Sequence, residues 1–95
     1  MEYIDVIWRH EFSSEPVRLV SELNGKRFET RKLEFFPDGS VGFASVGATT
    51  GRTNLGLVPV PLLNEINADP EFEGVAMTPE AFEILWLQHA CPARH

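Results

Sequence analysis

The side chains best suited to proton transfer, nucleophilic attack or metal binding are three histidines, His10, His89 and His95, and one cysteine, Cys91. Their spacing assembles none of these chemistries. No histidine stands one helical turn from another or from the cysteine, so there is no zinc pattern. His89 and Cys91 fall near a helix end, without the third orienting group that a nucleophilic pair requires. Gly47-Ala48-Thr49-Thr50-Gly51-Arg52-Thr53 resembles a phosphate-binding loop only in outline. It has three residues between its glycines rather than four, Arg52 in place of lysine, and no helix start behind it to hold an anion. Asp69, Glu71 and Glu73 lie two residues apart, without the spaced oxygens and glycine turn of a calcium loop. The expectation is a protein with no metal and no cofactor.

Two sets of residues remain as candidates. The first is a binding surface. The chain carries a net charge of −6, spread unevenly. Residues 1–52 hold eight acids against seven bases, whereas residues 53–95 hold six acids and one base. From Thr53 to Ala93 there is no Lys or Arg. Such a surface repels phosphate backbones, which argues against a nucleic-acid partner, and it steers basic ones. Glu65, Asp69, Glu71 and Glu73 would supply the charge. A plainer reading of the same acids is solubility. The second set is a ligand or catalytic site where the 47–56 loop meets the end of the first strand. It would use Trp8, His10, Arg31, Arg52 and Thr53, with Arg31 placed to hold a carboxylate. The plainer readings are a strand-end histidine and an arginine whose stem lies along the sheet.

Length and composition bound the elements that must position these groups. Ninety-five residues, 43% of them hydrophobic, suit one domain with one core and no large enclosed cavity. No apolar run approaches the ~18 residues of a membrane span. Met1-Glu2-Tyr3-Ile4-Asp5 carries acids where a secretory signal needs a basic start, and a lone cysteine can form no intrachain disulfide, so a cytoplasmic location is expected.

Residues 3–10 alternate as a strand, with Ile4, Val6 and Trp8 on one side. Residues 17–23 and 26–36 read as a second and third strand around Asn24-Gly25, a strong hairpin signal. Pro37-Asp38-Gly39 fits a three-residue hairpin loop that pairs Phe35 with Val41 and Leu33 with Phe43. The two turns conflict. The Asn-Gly turn would put Leu19, Leu23 and Phe28 on the side opposite to Leu33 and Phe35, and a bulge near residues 30–32 is expected to reconcile them in one core. Residues 57–61 read as extended, Pro61 or Leu62 to Asn67 as a short helix and 72–77 as a short edge strand. Thr78 and Pro79 open a last helix that runs to about His89. Its stripe of Phe82, Leu85, Trp86 and His89 should meet the sheet. Ile84 and Leu87 should point away from it, as a candidate apolar contact rimmed by acids. The predicted fold is α+β: a four-stranded antiparallel meander with one face covered by the short helix and the C-terminal helix.

In order, the chain carries Trp8-x-His10, Ser21-Glu22, and Arg31-Lys32-x-Glu34-x-Phe36-x-Asp38-Gly39. There follow Thr50-Gly51-x-Thr53-x-Leu55-Gly56, Glu65-Ile66-Asn67-x-Asp69-x-Glu71-Phe72, and Phe82 with Trp86. This order resembles a family of short, mostly uncharacterised bacterial proteins. The resemblance implies no activity that carries over. In size and acidity the chain is similar to immunity proteins, which neutralise toxins. The leading expectation is a non-enzymatic protein-binding module, of immunity type, that occludes a basic toxin-like partner through Glu65, Asp69, Glu71 and Glu73, with Ile84 and Leu87 as apolar anchors. The alternative is the ligand or catalytic site above. Oligomeric state is left open.

Overall fold

The computed structural model describes residues 1–50 and 53–90. Six strands form one antiparallel sheet: β1 (Glu2–Trp8), β2 (Arg18–Leu23), β3 (Glu29–Phe35), β4 (Val41–Ser45), β5 (Ala48–Thr49) and β6 (Phe72–Ala76). Their order is β5-β4-β3-β2-β1-β6. The four-stranded meander is therefore corrected. The meander β1 to β4 exists, but β5 extends it at one edge and β6 returns to pair with β1 at the other.

The helices α1 (Leu63–Ile66) and α2 (Pro79–His89) lie on opposite faces, not on one. The reason is in the strands. Ile4, Val6 and Leu23 fill one face, under Val60, Leu63, Ile66 and Phe72. Val20, Leu33 and Phe82 fill the other, with Tyr3, Phe35, Val41, Phe43, Leu85 and Trp86. Both sides of the sheet are apolar, so both need a cover. The register shift between β2 and β3 does occur. Glu22 pairs with Arg31 and Leu23 with Glu29, which leaves Thr30 unpaired. It does not merge the two apolar sets.

The second hairpin follows the sequence closely. Phe35 opposes Val41 and Leu33 opposes Phe43, and Gly39 takes φ +90° to close the turn. The first hairpin does not. Ser21 opposes Lys32 rather than Phe28, because the loop closes late. The Arg27 N–H donates to Asn24 O at 2.9 Å, and Asn24 Oδ1 accepts from the N–H groups of Lys26 and Phe28. Arg27, not Gly25, takes the left-handed conformation, at φ +66°.

Thr78 caps α2 by accepting the Ala81 N–H at 3.1 Å, with Pro79 in the first turn. Phe82 is fully buried and Trp86 packs beside it, whereas Ile84 and Leu87 are 60% and 64% exposed. Among the described residues no helix is long and apolar enough to cross a membrane.

Candidate functional site

The α1 face is incompletely covered, because a four-residue helix cannot span a six-stranded sheet. The floor comes from alternate residues of neighbouring strands: Leu19 and Ser21 on β2, Ile4 and Val6 on β1, and Phe72 on β6. Its roof is the strap at Val60 and Pro61 together with α1. Arg27 ties the strap down. Its Nε and Nη2 donate to Val60 O and Pro61 O at 2.8 and 2.7 Å, and its backbone oxygen accepts the Val60 N–H. The α1 end is seated by Gly74, where a Cβ would meet Leu63 Cδ2 at 2.9 Å. What remains between sheet and strap is a groove of about 450 Å³. Among the described residues its charged lining is acidic: Glu29, Glu65 and Asp69. Glu65 is exposed, and its carboxylate has no hydrogen-bond or ion-pair partner among the described residues.

Beyond this groove the same face is closed by charge. The Lys32 ammonium donates to Asn54 O and approaches Glu29 Oε1, both at 3.0 Å, and lies 3.7 Å from Glu34. Glu29 also accepts the Gly56 N–H, and buried Thr53 donates to Glu34 at 2.9 Å. One buried cation thus pins the 53–56 segment over β3.

The α2 face holds a second ionic cluster. Glu22 is buried and accepts from Arg31 Nε and Nη2 at 2.9 and 2.8 Å, from Thr30 Oγ1 at 2.7 Å and from Tyr3 Oη at 2.9 Å. Arg31 also holds Glu83 of α2, and its guanidinium lies 4.8 Å over the Phe82 ring and 5.1 Å over Trp86. The Arg31 hydrogen bonds hold the Glu22 carboxyl down at about 2, against the desolvation that opposes them. The Tyr3 hydroxyl is pushed up by the same carboxylate. This cluster joins helix to sheet, and every group in it is engaged.

The predicted sites can now be placed. Glu65 and Asp69 stand at the groove. Glu71 accepts the Trp8 Nε1–H at 3.3 Å, and Glu73 is paired with Arg9. Ile84 and Leu87 are exposed on α2, across the sheet from Glu65 and Asp69, so the six do not form one surface. The described members of the alternative set are not brought together. Trp8 and His10 meet at the end of β1, ring centroids 4.3 Å apart. His10 uses both nitrogens, Nδ1 accepting the Phe12 N–H and Nε2 bonded to Pro16 O, which fixes a loop and leaves no free base. Thr53 is buried on the α1 face, Arg31 lies on the α2 face, and Arg52 is outside the described residues. A second cavity, of about 290 Å³, contains only Trp8 of that set. Gly51 and Cys91 are also outside the described residues. Among those described, no group of three or more His, Cys, Asp or Glu could hold a metal ion.

A family model, described as Domain of unknown function (DUF6881), matches residues 2–91. The chain belongs to this family. The matched span runs from the first residue of β1 past the end of α2, so the family domain includes the whole sheet, both helices and the groove. No curated protein and no solved structure matches the chain.

Ser21, Leu19 and Glu29 line the groove and Arg27 ties down its strap, and none of the four is a candidate site residue by sequence. The floor depends on the β1–β2 register, and Arg27 acts through a contact 33 residues away. No local motif encodes either.

Proposed function

We propose that this DUF6881 domain is a non-enzymatic binding module that takes a basic protein partner against the acid-rimmed groove on its α1 face. One observation carries the reading: Glu65, exposed and unpaired, stands with Asp69 at the mouth of an apolar groove. Residues 53–90 contain no Lys or Arg that could neutralise these acids from within the segment. A partner that brings cations gains both a steering field and an apolar contact. Glu71, exposed two residues beyond Asp69, adds to the charge of this segment. Ile84 and Leu87 are left out, because they face the other way.

We read the module further as an immunity-type inhibitor in a bacterial cytoplasm, acting by occlusion, with its carboxylates standing in for the anionic ligand of a toxin. Its small size, its acidity and its lone cysteine support that reading.

Affinity capture from the native host, with graded salt elution, tests the module. The expected result is a basic protein that is released as salt rises and lost from Glu65→Lys bait, but retained by Glu80→Lys bait, in which the reversal is on α2. Equal capture by both baits would overturn the reading.

A further inference from the structure

Besides exposed Glu65, the groove contains one buried group that its own walls leave unserved. Ser21 is 4% exposed and lines the groove beside Ile4 and Leu19. Its hydroxyl has no hydrogen-bond partner among the described residues. Buried hydroxyls are nearly always paired, because desolvation without a partner is costly. The neighbours explain why this one is not. Across β1 stands Ile4, which offers no polar side chain, and across β3 stands Lys32, whose ammonium is already held by Asn54 O, Glu29 and Glu34.

The order of the floor then defines what would fit. Strand by strand it runs from Glu29 on β3, through Ser21 and Leu19 on β2 and Ile4 and Val6 on β1, to Phe72 on β6. A polar acceptor and a carboxylate lie at one end, and an apolar track leads from them. Among the described residues no cationic side chain lines the groove.

We propose that the groove is a socket for one unbranched alkylammonium, the side chain of a lysine presented by the partner. Its methylene stem lies across Val6, Ile4 and Leu19, and its ammonium sits between the Ser21 hydroxyl and the Glu29 carboxylate. Glu65 and Asp69 attract it at the rim. Lysine suits the site better than arginine. A single hydroxyl beside a carboxylate already engaged by Lys32 and Gly56 serves a compact charge, whereas a guanidinium fork wants a bidentate acceptor. The proposal rests on the basic-partner reading, since such a partner supplies the lysine.

The test uses hexylammonium as probe and hexanol as its uncharged match, titrated into the isotopically labelled protein and followed by amide NMR shifts. Hexylammonium is expected to move Ile4, Val6, Leu19 and Ser21 saturably, and hexanol to bind about tenfold more weakly, the worth of one charge-assisted contact. Ser21→Ala is expected to weaken hexylammonium about fivefold while leaving the melting temperature unchanged or higher, because it removes an unpaired buried hydroxyl. A purely structural serine would show the reverse. Equal binding of the two probes, shifts elsewhere, or unaltered affinity in Ser21→Ala would overturn the socket. A lysine-alanine peptide separates the two readings. If it binds wild type and Ser21→Ala alike and is released by salt, the basic-partner reading holds and the socket falls. If hexylammonium binds and the peptide does not, the partner lysine is overturned as the source.

Discussion

Glu22 shows how much a single side chain can hold in so small a fold. It gathers Arg31, Thr30 and Tyr3 on the α2 face, and Arg31 passes the connection on to Glu83. Because the folded carboxyl titrates near 2 rather than the ordinary 4.5, the stability it brings is complete above pH 4.5 and is lost as pH falls toward 2. The expected cost of Glu22→Gln in urea unfolding at pH 7 is about 3 kcal/mol, falling below half of that by about pH 3. A cost that does not change with pH would show that the charge is not what matters. Lys32 is the counterpart on the other face. Lys32→Met would leave Glu29 and Glu34, whose side chains are only 10% and 13% exposed, without their cation, and a loss of about 3 kcal/mol is expected by the same measurement. The sequence exposed part of this. Arg31 could be read as a holder of carboxylates, because it shares a strand side with Leu33 and Phe35. Which carboxylates it holds could not be read, since Glu22 comes from the register and Glu83 from a helix 52 residues on.

Among the elements, β6 is the instructive one. As an edge strand it would offer unpaired backbone groups to any passing strand. The Asn67 side chain closes its centre. Nδ2 donates to Gly74 O at 2.9 Å, and Oδ1 accepts the Gly74 N–H at 2.6 Å, so the amide imitates a neighbouring strand. Asn67→Ala is expected to cost about 1–3 kcal/mol. It should also open the edge to concentration-dependent self-association, visible by light scattering. A variant that stays monomeric at high concentration would show that the edge is protected in another way. The strand at 72–77 was legible from its residues, but its plug was not, because Asn67 reads as a helix-ending residue. The two hairpins make the same point from opposite sides. Pro37-Asp38-Gly39 specifies its turn locally, and the structure keeps it. Asn24-Gly25 also specifies a turn locally, but Arg27 overrides it by anchoring Val60 and Pro61 from a left-handed conformation. A tertiary contact has outweighed a local preference.

At the scale of the whole molecule, the parity conflict between the strands is what forces two cores. Leu19 and Leu23 face one side and Leu33 and Phe35 the other, and no single covering layer can serve both. The sequence showed the conflict, but the solution on two faces required knowing that α1 and the strap return to cover the face that α2 leaves bare. The two layers are unequal. The α2 layer has an eleven-residue capped helix, a fully buried Phe82 and the Arg31 cluster. The α1 layer has a four-residue helix without a side-chain cap and a strap whose Leu57, Val58 and Leu62 are exposed. Local opening follows buried contacts, so the strap and α1 should open well before the sheet. Native-state hydrogen exchange is expected to show residues 57–66 exchanging first, with α2 and the centres of β2 and β3 last. Arg27→Ala should accelerate the strap by about tenfold or more while leaving α2 unchanged, because a guanidinium holding two carbonyls contributes on the order of 1.5–3 kcal/mol. Were α2 to exchange together with the strap, the domain would be one cooperative unit and the groove a fixed cleft. If the strap opens alone, the roof of the groove is the loosest layer of the fold, and a ligand that fills the groove must slow exchange there first.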